Sequence, residues 1–395
     1  MGIGNKLNQI SAAQQSGVSQ QASTVQQNGQ AQPQQHYGQA QPQQPYKQAQ
    51  PQQHYGQAQQ QQPYGQAQPQ QHYGQTQYRQ APPPNSYSQN TAHTPISGQP
   101  PRYMVPGSGQ YYSAVYQMLS NLVRVKRWEQ FYPPQRLEHL ARKIGSLDFR
   151  QITSQYGLAS EEIALELAKI SLVDVVLYCD DSGSMIFSDN GERWNNDLQA
   201  IIKMTSELTT IFDTDGVDVY FMNNQTSKTN ITRAEEVQQL ISTVQPGGVT
   251  PLGVELEKKL LMPYAHHLSQ SRSMTGGLTN CKPILIICIT DGSPTDNPRD
   301  YTKTAINKMI GWLRQNGLSG SEVGYQFAQV GRDTSAQRFL DEMDNDPMIG
   351  DYVDATSYYE FEEQQWAVKA VKLTPYLYIL KMLLGGFDPE WDNKD

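Results

Sequence analysis

The chain has 395 residues, 37% of them hydrophobic and 17% charged, with a formal charge of −8, enough for one large domain or two smaller ones. The first 110 residues hold no Asp or Glu and only Lys6, Lys47, Arg79 and Arg102 as cations besides histidine. With those four set aside the remainder carries −12, every acid lying at or beyond Glu129. Such an acidic body repels phosphates, which argues against nucleic-acid binding. The three cysteines, Cys179, Cys281 and Cys288, show no short spacing, which argues against a disulfide scaffold or zinc site and for a reducing compartment, cytoplasmic or nuclear.

From the N-terminus, Met1 to Lys6 has no apolar core behind it, so it does not read as a signal peptide. Lys6 also stands where a myristoylation site needs Ser or Thr. From Gln30 to Gly74 a nonapeptide of the type QAQPQQHYG recurs, with tyrosines at Tyr37, Tyr46, Tyr55, Tyr64 and Tyr73. No repeat supplies an aliphatic core residue, and burial too small to offset ordering entropy predicts disorder across residues 1–110. The tail reads either as an inert spacer or as a multivalent, self-associating sticker. His36, His54 and His72 are too far apart to chelate locally. Pro100-Pro101-Arg102-Tyr103 matches the PPxY pattern of WW-domain ligands.

Beyond Tyr111, Tyr112, Val115, Tyr116, Leu119, Leu122 and Val123 recur at helical spacing. A second helix is expected over Gln135–Ile144 and a third after Ser160, so residues 111–170 form a helical segment. Strands and helices then alternate over 171–375. The strand candidates are Leu172–Cys179, Val217–Met222, Ile284–Thr290, Val323–Val330 and a short Tyr352–Ala355. Continuous Val/Ile/Leu strands with helical crossovers predict an α/β fold, a doubly wound, mostly parallel sheet covered by helices on both faces. Tyr376–Leu384 is apolar but about half a membrane span in length, so it reads as a core helix ending at Gly385-Gly386, followed by a short tail to residue 395. The sequons at Asn224 and Asn230 fall in a polar loop and read as chance.

Ligands of such sheets bind at the carboxyl ends of the strands. Three loops stand there: Asp180-Asp181-Ser182-Gly183-Ser184, Gly247-Gly248-Val249-Thr250-Pro251, and Thr290-Asp291-Gly292. They offer carboxylates and hydroxyls with no nearby His or Cys, a donor set suited to a hard divalent cation such as Mg²⁺. An open position on the ion would attract a carboxylate from another molecule. Asp180-x-Ser182-x-Ser184 with Thr250 and Asp291-Gly292 resembles the metal-ion-dependent adhesion site of von Willebrand factor type A (vWA) domains. The resemblance covers roughly Leu172 to Leu373, and Gly324–Gly331 with Phe339-Leu340-Asp341 looks closest to intracellular copine-like and fungal members. It implies that Ser182 and Ser184 ligate the metal directly, Thr250 directly or through water, and Asp180 and Asp291 through water or directly. Mg²⁺ is the implied ion, with Mn²⁺ or Ca²⁺ as alternatives, and the implied function is non-enzymatic protein binding. Asp181 caps the following helix or faces water. A scaffold working through tail self-association is the alternative. A haloacid-dehalogenase-like phosphatase is a remote one, because the position two after Asp180 is Ser182 and the general acid is missing.

Overall fold

A computed structural model describes residues 3–26 and 109–392. The nonapeptide repeats, the tail histidines and Pro100–Tyr103 lie outside the described residues. Of the described residues, 22–26 belong to a second unit; everything below concerns the first.

In chain order the helices before the sheet are α1 (Ile3–Gln26), α2 (Tyr112–Lys126), α3 (Pro134–Ile144), α4 (Phe149–Tyr156) and α5 (Glu161–Glu166), which runs on into a 3₁₀ segment, Leu167–Leu172. Then come β1 (Asp174–Cys179), α6 (Ser184–Phe187), a π turn at Arg193–Leu198, α7 (Gln199–Phe212), β2 (Val217–Phe221), β3 (Ser227–Ile231), α8 (Ala234–Ser242), α9 (Leu252–Leu256) and α10 (Met262–Thr275). The chain continues through β4 (Ile284–Thr290), α11 (Tyr301–Gln315), β5 (Val323–Gln329), α12 (Thr334–Asp344), β6 (Val353–Thr356), α13 (Tyr359–Val368) and α14 (Pro375–Gly385). The strand order is β3-β2-β1-β4-β5-β6. All neighbours are parallel except β2 and β3. This is the doubly wound, Rossmann-like arrangement expected from the alternating pattern. The antiparallel edge strand β3, Ser-Lys-Thr-Asn-Ile, is mostly polar and escapes a search for apolar runs.

Register assigns the two faces. Tyr178, Cys288 and Phe327 lie abreast; Tyr178 donates to the Leu252 carbonyl of α9 and Phe327 meets Phe339 of α12 edge to face. Leu285 with Gly324, and Gln326 with Asp354, project from the opposite side. There the end of α14 comes so close that a Cβ on Gly324 would lie 2.4 Å from the Gly386 carbonyl, so glycine is required at that crossing. Helices therefore cover both sides, and β1, β4 and β5 are buried along almost their whole length.

The helix α1 departs from the disorder expected of the tail. Ile3, Leu7 and Ile10 are buried, at a spacing that puts them on one helical face. The Lys6 ammonium reaches Glu166 at 3.0 Å and Glu390 at 2.9 Å. Gln14 exchanges two hydrogen bonds with the Lys372 backbone at 2.9 and 2.8 Å, and Ser11 donates to the Ala370 carbonyl. Three aliphatics could not build a core of their own. They suffice here because the surface they cover is formed by the rest of the domain.

The α14 face also buries charge. Lys381, 1% exposed, pairs with Glu362 at 2.9 Å. Asp354 is fully buried, and that burial pushes its carboxyl up to about 7 against the pull of Lys381. A carboxyl raised in the folded state binds more protons folded than unfolded between the ordinary carboxylate range and about pH 7, so its contribution to stability falls as pH rises through that window. Asp354→Asn, neutral at every pH, should therefore gain about 2 kcal/mol relative to the native chain between pH 5 and pH 8. Thermal unfolding at the two pH values checks this; an equal difference at both would contradict it.

Candidate metal centre

β1 and β4 are adjacent and parallel, so Asp180 and Asp291 follow neighbouring strand ends. The ladder continues one step further, with the Asp180 amide donating to the Ile289 carbonyl at 2.9 Å. Asp180 Oδ1 accepts the Ser182 amide at 2.8 Å, which folds the loop back on itself, and Oδ2 accepts the Thr290 hydroxyl at 2.6 Å. Ser182 Oγ lies 3.0 Å from Ser184 Oγ, and Ser184 Oγ donates to Asp291 Oδ1 at 2.8 Å. Asp180, Ser182, Ser184 and Asp291 thus form one hydrogen-bonded chain from β1 to β4.

Thr250 arrives from the third loop. Gly247 donates to the Asp181 carbonyl at 2.8 Å, Gly183 donates to the Gly248 carbonyl at 3.2 Å, and Thr250 and Thr295 exchange two bonds at 3.0 and 2.9 Å. Gly248 has φ +90 and sits against the Asn223 amide, a backbone state that disfavours a side chain. The Thr250 side chain is buried, and no hydrogen bond to its hydroxyl occurs among the described residues. The sheet's carboxyl edge therefore brings all three predicted loops to one place.

Asp180, Ser182, Thr250 and Asp291 are buried, while Ser184 opens to solvent. Burial pushes the Asp180 carboxyl up to about 6; hydrogen bonds from Thr290 and Ser182 oppose the shift and Asp291 adds to it. Cys179 and Cys288 are buried free thiols raised well above their ordinary range by burial, which makes them inert as nucleophiles. Buried carboxylate and hydroxyl oxygens together with the Thr250 hydroxyl fit a hard cation.

Four positioning residues escaped the sequence reading. Asp181, expected to cap a helix or face water, is instead 1% exposed, and its carboxylate accepts the Asn223 and Asn224 amides at 2.7 and 2.8 Å, pinning the loop after β2. Lys259 donates to the carbonyls of Phe221, Met222 and Asn224 at 2.7–3.0 Å and closes the same strand end. Asp296 accepts the Gly253 and Val254 amides at the start of α9, holding the Thr250 loop. Arg193 reaches Asp291 Oδ2 at 2.6 Å and Asp189 at 2.7 Å. Apart from the Asp189–Arg193 pair four residues apart, these contacts run to backbone groups or across distant loops, and no local sequence pattern announces them.

Three further acidic groups lie elsewhere among the described residues: Glu166/Asp388/Glu390, Asp174/Asp213/Asp215 and Asp344/Asp354/Asp392. Ammonium groups fill the first two, Lys6 and Lys169 in one and Lys282 in the other. Two large apolar side chains flank the five-residue site and face solvent, Phe187 at 84% and Val249 at 60% exposure.

No family model matches the chain, and no curated relative matches it. Among solved structures, manganese-loaded TRAP protein of Plasmodium vivax matches at 16% identity and a TM-score of 0.29, over 53% of this chain and 74% of that one. The fold assignment rests on the strand order and register given above.

Proposed function

We propose that the domain is a non-enzymatic protein-binding module, of the vWA type that the sequence resembles, which recognises an acidic residue of a partner through a divalent ion, Mg²⁺ in the first instance. The observation that carries the reading is the gathering of Asp180, Ser182, Ser184, Thr250 and Asp291 at one sheet edge, beside the solvent-facing Phe187 and Val249. When bound, the ion supplies positive charge to a partner carboxylate. Ser182, Ser184 and Thr250 supply neutral oxygens and the two carboxylates no more than balance a divalent charge, so a coordination position not filled by the domain is open to a partner carboxylate. The exposed apolar pair fits a macromolecular partner better than a small solute. The hydroxyl–carboxylate pair within these five residues, Ser184 with Asp291, has its carboxylate also tied to Arg193 and, among the described residues, no histidine or cysteine beside it, which favours binding over catalysis.

Among the described residues no helix is long and apolar enough to cross a membrane. With three free cysteines, a cytoplasmic setting is the natural one. The repeats would cluster or localise the module, and Pro100–Tyr103 would offer a WW-domain contact.

Immobilised full-length chain should capture its partner in Mg²⁺ and release it in EDTA, and an Asp180→Ala chain should capture nothing. Capture that is indifferent to EDTA but lost when residues 27–108 are deleted would favour tail-driven association instead.

A further inference from the structure

The proposed site already contains a cation of its own. The guanidinium of Arg193 bridges Asp291 Oδ2 at 2.6 Å and Asp189 Oδ2 at 2.7 Å. The arginine side chain is 12% exposed and that of Asp291 is fully buried. The seat is constructed. Gly331 has φ +72, and a Cβ there would stand 2.4 Å from Arg193 Nε, so only glycine leaves room for the guanidinium. The neighbouring Trp194 is buried against Phe221 at the end of β2, which fixes the π turn that carries Arg193. Asp189 and Asn190 both take positive φ, 47 and 54, a turn that Asp and Asn tolerate best; it sets the Asp189 carboxylate four residues before the arginine it holds.

Asp291 thus divides its two oxygens between Ser184 and Arg193. Resting on the reading of this site as a metal centre, we infer that Arg193 is an internal counter-cation: it neutralises Asp291 in the metal-free domain and competes with a divalent ion for that carboxylate. The competition has a physical basis. Two cations next to one buried carboxylate repel each other, and the repulsion is strong where solvent is excluded. The arginine also has somewhere to go. Asp189 and Arg193 line a cavity of about 580 Å³ whose wall carries Glu192 and Asp197, and also Glu360, which lies 3.8 Å from Arg332 on the same wall. A guanidinium leaving Asp291 can keep Asp189 and turn toward Glu192 and Asp197. Metal affinity is thereby set below what the oxygen ligands alone would give, and metal loss does not leave Asp291 as a bare buried charge.

The test uses the full-length chain and the metal alone. In calorimetric titrations with MnCl₂ and MgCl₂, Arg193→Gln should bind about tenfold more tightly than the native chain, and Arg193→Lys, which keeps the charge, should lie closer to native. In EDTA, Arg193→Gln should melt about 3 °C or more below the native chain, because Asp291 has lost its partner, and saturating Mg²⁺ should close or reverse that gap. Suppose the native chain binds metal, Asp180→Ala/Ser182→Ala abolishes it, and Arg193→Gln leaves the affinity unchanged or weaker. The inference about Arg193 is then wrong while the metal centre stands. If neither the native chain nor Arg193→Gln binds metal, both fall.

Discussion

Replacing Lys169 with alanine is expected to remove about 3–5 kcal/mol of folding stability, the largest loss from a single side chain in this account. Lys169 is 4% exposed. Its ammonium donates to Asp388 at 2.5 Å and Glu166 at 2.7 Å and lies 3.5 Å from Glu390. Burial alone would lower its pKa, but the charges of Asp388 and Glu166 hold it above its ordinary value. Without the ammonium, Asp388, 2% exposed, is left as a buried negative charge without its cation. A lysine raised in the fold contributes fully below its ordinary pKa and is lost only in strong alkali, but burial already raises the Asp388 carboxyl against the pull of Lys169, and without that ammonium it takes up a proton more readily, so the loss should be smaller at pH 6 than at pH 9. Glu166 is held below its ordinary value, burial opposing and the charges of Lys169 and Lys6 prevailing. Its share is present above that ordinary value and fades as pH falls through the carboxylate range. Lys169→Met combined with Asp388→Leu should recover most of the stability, because no unpaired charge then remains. Because Lys6 of α1 also reaches Glu166 and Glu390, Lys169→Ala should cost more in a chain lacking residues 1–16 than in the full chain. Chemical unfolding of the five proteins (native, Lys169→Ala, the double variant, the shortened chain and its Lys169→Ala form) checks this; a Lys169→Ala loss under about 1 kcal/mol would mean the cluster is as weak as a surface ion pair.

The sheet is legible in the sequence because its parallel strands are buried on both faces. Ile284–Thr290 shows as an unbroken apolar run, and β1, β2 and β5 fall within a residue or two of the apolar stretches that mark them. The three loops of the site are legible for a related reason. Each follows a strand end or precedes a helix, and glycines and hydroxyls interrupt the apolar pattern there. β3 is hidden because an edge strand needs no apolar face. The docking of α1 is hidden because a composition average over residues 1–110 submerges Ile3, Leu7 and Ile10 in a glutamine-rich background; their four- and three-residue spacing was the available signal. Arg193 and Asp181 are hidden because their partners, Asp291 and the Asn223–Asn224 backbone, are distant in sequence.

The second large effect concerns the metal. Mg²⁺ at a hundred times its dissociation constant should stabilise the EDTA-treated full-length chain by about 2.7 kcal/mol, because an ion that binds only the folded state shifts unfolding by mass action. Asp180→Ala with Ser182→Ala removes a buried carboxylate and a hydroxyl from the hydrogen-bonded chain at the strand ends. It should abolish that response and leave unfolding cooperative. Asp181, which pins the loop after β2, is a poor choice for this purpose, since its loss would disturb the fold itself.

The most direct measurement is a crystal structure of the full-length chain grown with Mn²⁺, read by anomalous scattering. A peak is expected within about 2.5 Å of the hydroxyl oxygens of Ser182 and Ser184, with Thr250, Asp180 and Asp291 around it and the Arg193 guanidinium displaced from Asp291. No peak at that edge, or a peak only at an acidic group such as Asp174/Asp213/Asp215, would contradict it.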